Sequence, residues 1–388
     1  MNHPSRLFGG ILLVAGTAIG AGMLALPVIS SFAGFFPSLA ALIFCWGFFY
    51  ATAILFLDVS LQFSGNANMI TMAEKTLGPL GKAACWVVYL LLLYALTAAY
   101  IAGSAPLFLQ AVNSLGFSVP SWFGPLPLLV VFGLFVYFGT RVVDTVNRIL
   151  VAGLIIAYVA IVAALPQHIN LSLLTRSDFP SLNIAASVFF TSFGFHIIIP
   201  TLTTYLHRDV KRLRLTILIG SLIPLVVYAI WELLVMGVVP FEGKDSLLSA
   251  WSAGEPGTVP LAAVIRSPRI SLVANAFSLF AILTSFLGVS LSLSDFLGDG
   301  LKVHRFTWGR EFACLLTYVP PLLFVLTYQR GFLLALQYAG IFVAILLGIF
   351  PALMAWKLPK YRGIYHRIGL AFIVLISLLV IALDIVGS

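Results

Sequence analysis

The sequence predicts an all-α integral membrane protein of eleven membrane-spanning helices, set out as two five-helix repeats of opposite orientation plus one further helix. Three observations predict it. Of 388 residues, 61% are apolar and 9% charged, where a water-soluble globular chain has roughly 45–50% and about 25%. The apolar residues fall into continuous runs long enough to cross a bilayer. Two of those runs are interrupted by glycine and then proline at corresponding places in the two halves of the chain.

A spanning helix needs about 20 apolar residues. Runs of that kind lie near 7–32, 35–60, 82–111, 122–140, 145–165, 182–206, 213–238, 270–297, 310–328, 331–355 and 366–386. The first follows Arg6 as the core of a signal peptide would. It has no small-residue cleavage site and runs on through glycines to Pro27, so it reads as a span. Loop charges test the map. With the N-terminus in the cytoplasm and the C-terminus outside, 16 of the 21 Lys and Arg fall on the inner side and 5 on the outer. That is the bias of the positive-inside rule, and one miscounted span would scramble it downstream. The long outer loop 239–269 carries three basic and three acidic residues. The net charge of +8 therefore reports membrane topology rather than affinity for nucleic acid. Cys45, Cys85 and Cys314 lie inside apolar runs and form neither a disulfide framework nor a metal spacing. A closed β-barrel would need alternating segments of about 10 residues; these runs are continuous and longer. The setting expected is the plasma membrane, which is the inner membrane if the source is bacterial.

Two spans differ from the rest. The first reads GGILLVAGTAIGAGMLALP, and its centre, Gly16, Thr17, Ala18, Ile19, Gly20, Ala21 and Gly22, carries little side-chain bulk. The sixth reads VFFTSFGFHIIIP, centred on Thr191, Ser192, Phe193, Gly194, Phe195 and His196. In each a glycine is followed by a proline, Gly20 by Pro27 and Gly194 by Pro200. Glycine weakens a helix by about 1 kcal/mol against alanine, and proline removes a backbone donor. Both segments are places where a helix opens, and open backbone at membrane depth is tolerated only beside protein or a watery cavity. Paired interruptions in two halves point to a transporter's central site. Gly20 and Gly194 lie 174 residues apart. The division that follows is a first repeat at 1–165 with its break at 16–22, an external loop at 166–181, a second repeat at 182–356 with its break at 191–196, and the eleventh helix at 357–388. Five spans per repeat, an odd number, put the copies in opposite orientation. The competing reading is close helix packing, for which Gly16 and Gly20 supply a GxxxG pattern.

An opened helix exposes N–H groups backed by the positive end of the following half-helix, and carbonyls at the end of the preceding one. Amides suit a carboxylate; carbonyls suit an ammonium or a bare sodium ion. A zwitterionic amino acid needs both, although another small zwitterion or an ion alone also fits. Tyr94, Thr97 and Tyr100 of the third span can share or adjoin one helix face, from which a hydroxyl could close over a carboxylate; an aromatic packing stripe is the alternative. His196 is an ionisable group at membrane depth, either a proton carrier or a neutral histidine bonded to a carbonyl. Thr284 and Ser285 are adjacent hydroxyls in the eighth span, able to help ligate a small cation or to bond back to their own helix. Asp295 and Asp299 end that span and either pair with Arg6 as an inner gate or stand solvated. Glu232, near the outer end of the seventh span, is either functional or snorkels to the surface.

GTAIGAGMLALP, YALTAAYI, FFTSFGFHIIIP and TSFLGVSLSLSDF together resemble the hydroxy and aromatic amino acid permease family, nearest the bacterial tyrosine-specific and tryptophan-specific type. The likeness runs from Phe8 to about Ile385. It implies membership of the amino acid–polyamine–organocation superfamily and a leucine-transporter-type fold. It also implies that the substrate's amino and carboxylate groups sit against Thr17 to Gly22 and Ser192 to His196. The side-chain pocket would lie between spans 1, 3, 6, 8 and 10, with Tyr338 as a contributor. Sodium-coupled members of the superfamily ligate an ion at positions matching the carbonyls of Gly16 and Ile19 with Ala281, Thr284 and Ser285. Some relatives carry instead a lysine in the fifth span, where this chain has Gly153. That departure leans toward sodium over a proton as coupling ion.

The function expected is thus secondary active symport of tyrosine or tryptophan by alternating access, driven by a sodium or proton gradient. A permease for other neutral amino acids is the alternative. No cofactor is expected, no nucleic acid partner, and no obligatory oligomer; the partners are the amino acid and the bilayer. An ion channel lacks a ring of carboxylates or a filter repeat. An enzyme lacks HExxH, GxSxG or any nucleophile–base pair beyond Ser192 and His196, which alone make no triad.

Overall fold

The computed structural model describes residues 3–63, 67–302, 308–328 and 330–387. Among them ten helices are long and apolar enough to cross a membrane, and an eleventh crossing is a bent pair, Arg6–Ala18 with Ala21–Ser30, angled by 50°. The chain is a multi-pass membrane protein. In order, the first crossing is α1 (His3–Ala18) and α2 (Leu26–Ser30), followed by α3 (Phe35–Ser60) and α4 (Met69–Ser114). A π turn at Leu128–Phe132 leads into α5 (Gly133–Phe138), then α6 (Thr140–Ala164). The sixth crossing divides into α7 (Ala186–Ser192) and α8 (Ile199–Tyr205), and α9 (Val210–Val238) is the seventh. Two short helices, α10 (Leu247–Ala253) and α11 (Thr258–Ile265), fill the next connection. The last four crossings are α12 (Pro268–Gly300), α13 (Gly309–Thr327), α14 (Gly331–Val343) with α15 (Phe350–Trp356) across a π turn, and α16 (Ile364–Gly387).

Each expected apolar run is a crossing, with two differences at the edges. Helix α4 starts at Met69 instead of near 82. It leaves helical geometry at Gly78 (φ 81) before Pro79, so a short helix precedes the true span. Residues 166–181, expected to be loop, carry 3₁₀ turns at Pro166–His168 and Leu171–Thr175, and a third at Phe179–Ala185 runs straight into α7. This segment is tied to the turn after α2: Asp178 N–H donates to the Ala33 carbonyl at 2.8 Å and Arg176 Nε to the Phe32 carbonyl at 3.1 Å. Helix starts follow local chemistry. Asn68 accepts from Thr71 N–H and Asp209 from Lys211 and Arg212 N–H, satisfying donors with no intrahelical partner.

Burial separates the helices into lipid-facing and central ones. The apolar window of α6 is 17% buried and that of α16 is 22% buried, against 61% for the crossing Gly331–Trp356. Outward apolar side chains need no protein partner where lipid replaces water. At the centre, Phe49 of α3 meets Phe190 of α7 with ring centroids 5.0 Å apart, and Phe48 meets the same ring at 5.0 Å. Helix α14 lies so close to α7 that a Cβ on Gly340 would come within 2.0 Å of the Ser187 carbonyl oxygen. Only glycine allows that approach, the device by which small residues pack membrane helices.

The two divided crossings lie side by side in opposite directions. Helix α1 contacts α8 and the turn His196–Ile198, while α7 contacts α2 and the turn Ala21–Leu24. First half meets second half in both cases, which sets the two breaks level with each other.

Candidate functional site

At the first break α1 ends at Ala18, Gly20 is extended (φ −156, ψ −168), and a 3₁₀ turn over Ala21–Leu24 precedes α2. At the second, α7 ends at Ser192, Phe193 leaves the helix (φ −111, ψ 30), and a 3₁₀ turn over His196–Ile198 precedes α8. Pro27 and Pro200 sit in the first turn of the second half-helices. There a missing N–H costs nothing, so the prolines restart the helix after glycine has let it open.

The freed backbone groups are the chemistry of the site. Among the described residues, the N–H groups of Gly20, Gly22, Gly194 and His196 have no hydrogen-bond acceptor, and the carbonyls of Gly16, Thr17 and Ile19 have no donor. A Cβ on Gly16 or Gly22 would meet nothing within 4 Å, so there is open space beside the first break. Other freed groups are taken up by side chains. Ala21 N–H donates to Ser285 Oγ at 3.0 Å. The Tyr228 hydroxyl, on α9, lies 2.6 Å from the Ala18 carbonyl and 2.9 Å from the Ser192 carbonyl, bridging the two breaks through one fully buried side chain. A Cβ on Gly20 would come within 2.8 Å of Ser285 Oγ and so displace the hydroxyl that accepts from Ala21 N–H.

The residues expected at the site divide into two groups. Thr17 through Gly22 and Ser192 through His196 form the two breaks. Tyr100, buried on α4, places its hydroxyl beside that of Ser285, and neighbours Tyr228. Other side chains are engaged elsewhere. Tyr94 donates to the Leu316 carbonyl of α13 at 2.9 Å. Thr97 bonds back to the Leu93 carbonyl at 2.7 Å, and Ser192 to the Val188 carbonyl at 2.9 Å. Tyr338 is 41% exposed, with its ring against Phe324 of α13. Thr284 donates to the carbonyls of Phe280 and Ala281, at 2.9 and 3.1 Å. Of the adjacent pair, Ser285 faces the first break, and Ala281 is fully buried on the same helix. Gly153 of α6 packs against Phe280, whose ring a Cβ would meet at 2.8 Å.

His196 points away from the open space. Its ring is fully buried against Phe49 and Phe195, Nε2 lies 2.9 Å from Thr52 Oγ1 of α3, and Nδ1 has no partner among the described residues. Its partner is a side-chain hydroxyl, not the backbone carbonyl considered from sequence. Arg6 meets His207, so the inner-gate alternative with Asp295 or Asp299 is not formed. Those two acids instead line a cavity of about 690 Å³ between α3, α4, α8 and α12, shared with Phe56, Tyr89, Pro200 and Thr204. The cavity reaches Ile197 and Pro200, just beyond the second break, and none of the expected substrate residues line it. Glu232 does not snorkel; it is fully buried, with Oε1 2.7 Å from Ser30 Oγ.

Sequence reasoning missed Tyr228. A tyrosine inside an apolar helix carries no signal of its own until the neighbouring backbone is known to lack donors. It also missed Asp58, nearly buried at the end of α3, which binds Lys360 and the Tyr361 hydroxyl at 2.5 Å each and Arg214 at 3.6 Å.

Known proteins resemble this chain over nearly its full length. The tyrosine-specific transport system 1 of Haemophilus influenzae is 36% identical over 360 residues, covering 91% of this chain and 88% of that protein. The tryptophan-specific transport protein of the same organism is 30% identical, covering 98% and 95%. Glutamine transporter 2 of Aliivibrio fischeri is 30% identical, covering 92% and 90%. These relatives are transporters, not enzymes. The model of the tryptophan/tyrosine permease family matches residues 3–386. A chain with two open, level helix breaks and this breadth of likeness belongs to the tryptophan/tyrosine permease family.

Proposed function

We propose that this protein is a secondary active symporter that imports an aromatic amino acid, tyrosine or tryptophan, by alternating access, driven by a sodium or proton gradient. The observation that carries the reading is the pair of level helix breaks joined by Tyr228, with unpaired amides and carbonyls on either side. In this reading the substrate carboxylate takes the N–H groups of the first break, near Gly20 and Gly22. The substrate ammonium takes freed carbonyls between Thr17 and Ile19, or between Ser192 and His196. A preorganised set of peptide dipoles holds a zwitterion without placing a charged side chain in the membrane. The names of the relatives from Haemophilus influenzae support an aromatic side chain in the pocket. The glutamine transporter keeps a permease for other neutral amino acids as the second reading.

The antiparallel packing of the two divided crossings supports a leucine-transporter-type fold with inverted repeats. Loop charge supports a cytoplasmic N-terminus and an outer C-terminus, and the bacterial organisms of the relatives support placement in a bacterial inner membrane. In that orientation the 690 Å³ cavity opens inward, because it lies where α8 and α12 end among the inner-side basic residues. In this reading a coupling cation would take the carbonyls of Gly16 and Ile19 with Ala281, Thr284 and Ser285.

Uptake into proteoliposomes tests the reading, with labelled tyrosine, tryptophan, leucine and glutamine, and with sodium and pH gradients imposed separately. Gradient-driven accumulation of one aromatic substrate is the expected result. Equal, gradient-independent flux of all four would reject it. The double variant Thr284→Ala, Ser285→Ala separates the ions: lost sodium dependence at normal expression supports the cation site, and unchanged ion dependence removes it.

A further inference from the structure

Glu232 is a carboxyl group with no exposure to solvent, set in α9 one turn beyond Tyr228. Its Oε1 lies 2.7 Å from Ser30 Oγ, at the end of α2, and its Oε2 has no partner among the described residues. Among the described residues no cation answers it. On the elements packed against α9 the ionisable groups are Arg6 of α1, Tyr50 and Asp58 of α3, Arg141, Asp144, Arg148 and Tyr158 of α6, His168 in the first 3₁₀ turn, and Arg176, Glu255 and Arg266 flanking the second turn and α11. Among the described residues none of them, nor any group of α9 itself, makes an ion pair with Glu232.

Counting protons favours a neutral carboxyl here. The Ser30 hydroxyl lies 2.6 Å from the Leu26 carbonyl as well as 2.7 Å from Glu232. A hydroxyl has one proton to give, and a carbonyl has none. With the Ser30 proton on Leu26, the contact to Glu232 is closed only by a proton on the carboxyl. The alternative is a carboxylate with one hydrogen bond and no cation, the arrangement that burial penalises most. Helix α2 is the second half of the first divided crossing. It is further tied to α3, where Ser38 Oγ donates to the Ser30 carbonyl at 3.1 Å. Any movement that lifts α2 from α9 lets water reach Glu232 and releases its proton. By linkage, binding a proton there favours the seated α2 to the same extent.

We propose that Glu232 is a proton-binding site, and that a proton on it is required for α2 to seat against α9. The proposal rests on the transport reading in one respect only, that seating of α2 is a step of the transport cycle; the protonation of Glu232 stands on the geometry alone. Infrared spectroscopy of the purified protein in lipid at neutral pH tests the site without transport. A carbonyl stretch of a protonated carboxylic acid is expected in the wild type and absent from Glu232→Gln. Identical spectra in that region overturn the proposal. Ser30→Ala serves as the second variant, since removing the acceptor shifts that band; an unmoved band overturns it as well. In proteoliposomes, the uptake rate of the wild type changes with external pH, and Glu232→Gln, which mimics the protonated form, flattens that profile. An unchanged pH profile in Glu232→Gln overturns the link to transport while leaving the infrared result standing. Wild-type protein that transports neither tyrosine nor tryptophan overturns the transport reading instead.

Discussion

Replacing Tyr228 by Phe removes one hydroxyl and leaves the ring, which packs edge-on against Phe193 with centroids 5.6 Å apart. The lost oxygen serves two carbonyls, Ala18 at 2.6 Å and Ser192 at 2.9 Å, each ending the first half of a divided crossing. Hydrogen bonds between membrane helices are worth about 0.6 kcal/mol on average and up to about 1.7. One proton shared between two carbonyls, both left unmet in a buried site when it goes, places the loss at roughly 1–2 kcal/mol. That energy holds the open backbone in its binding geometry. If it is lost from preorganisation, apparent substrate affinity falls by roughly the same energy, about fivefold to thirtyfold. The assay is equilibrium binding of labelled tyrosine or tryptophan to purified protein, beside a thermal melt in detergent. Tyr94→Phe is the control: its hydroxyl also bonds an interhelical carbonyl, that of Leu316, so it costs similar stability, but it leaves affinity unchanged. Wild-type affinity in Tyr228→Phe, or equal losses in the two variants, would refute the reasoning.

Three further outcomes follow from the same geometry. Gly340→Ala forces a methyl to within 2.0 Å of the Ser187 carbonyl. It should push α14 from α7 at a cost of about 1–3 kcal/mol, read as a lowered midpoint in a thermal melt. Ser285→Ala removes the acceptor of Ala21 N–H; substrate affinity should drop by about 1 kcal/mol with little change in expression, measured by equilibrium binding. Asp58→Asn breaks contacts to Lys360 and Arg214, and because those partners are about half exposed, the loss should be roughly 1–2 kcal/mol in a thermal melt. Burial first, then the Asp58 hydrogen bond and charge, hold the Tyr361 phenol above its ordinary range. Removing that negative charge should let Tyr361 ionise at lower pH, read as tyrosinate absorbance against a Tyr361→Phe background.

The crossings were legible because lipid imposes a length and a polarity that each helix must meet by itself. Both breaks were legible for a similar reason. Gly20 with Pro27 and Gly194 with Pro200 weaken and restart a helix whatever surrounds them. What a side chain touches is set by its neighbours, and there sequence spacing ran out. Tyr94, Thr97 and Tyr100 are near in sequence, but only Tyr100 turns toward Ser285; Tyr94 turns to α13 and Thr97 to its own helix. Thr284 and Ser285 divide in the same way, one on its own backbone and one on the break. Glu232 was read as a residue at a helix end, where an acid can reach water. The turns at 166–175 cover that end of α9, and the side chain is sealed in. Tyr228 had no sequence signal, since its meaning depends on two carbonyls that lose their own donors 210 and 36 positions away.

The central claim is that peptide groups freed at the two breaks hold both charged ends of an amino acid. Competition binding against labelled tyrosine tests it most directly, using tyramine, which lacks the carboxylate, and 3-(4-hydroxyphenyl)propionate, which lacks the ammonium. The account predicts that each analogue binds at least about a hundredfold more weakly than tyrosine, since each leaves buried polar groups unpaired. Either analogue competing as well as tyrosine would contradict it.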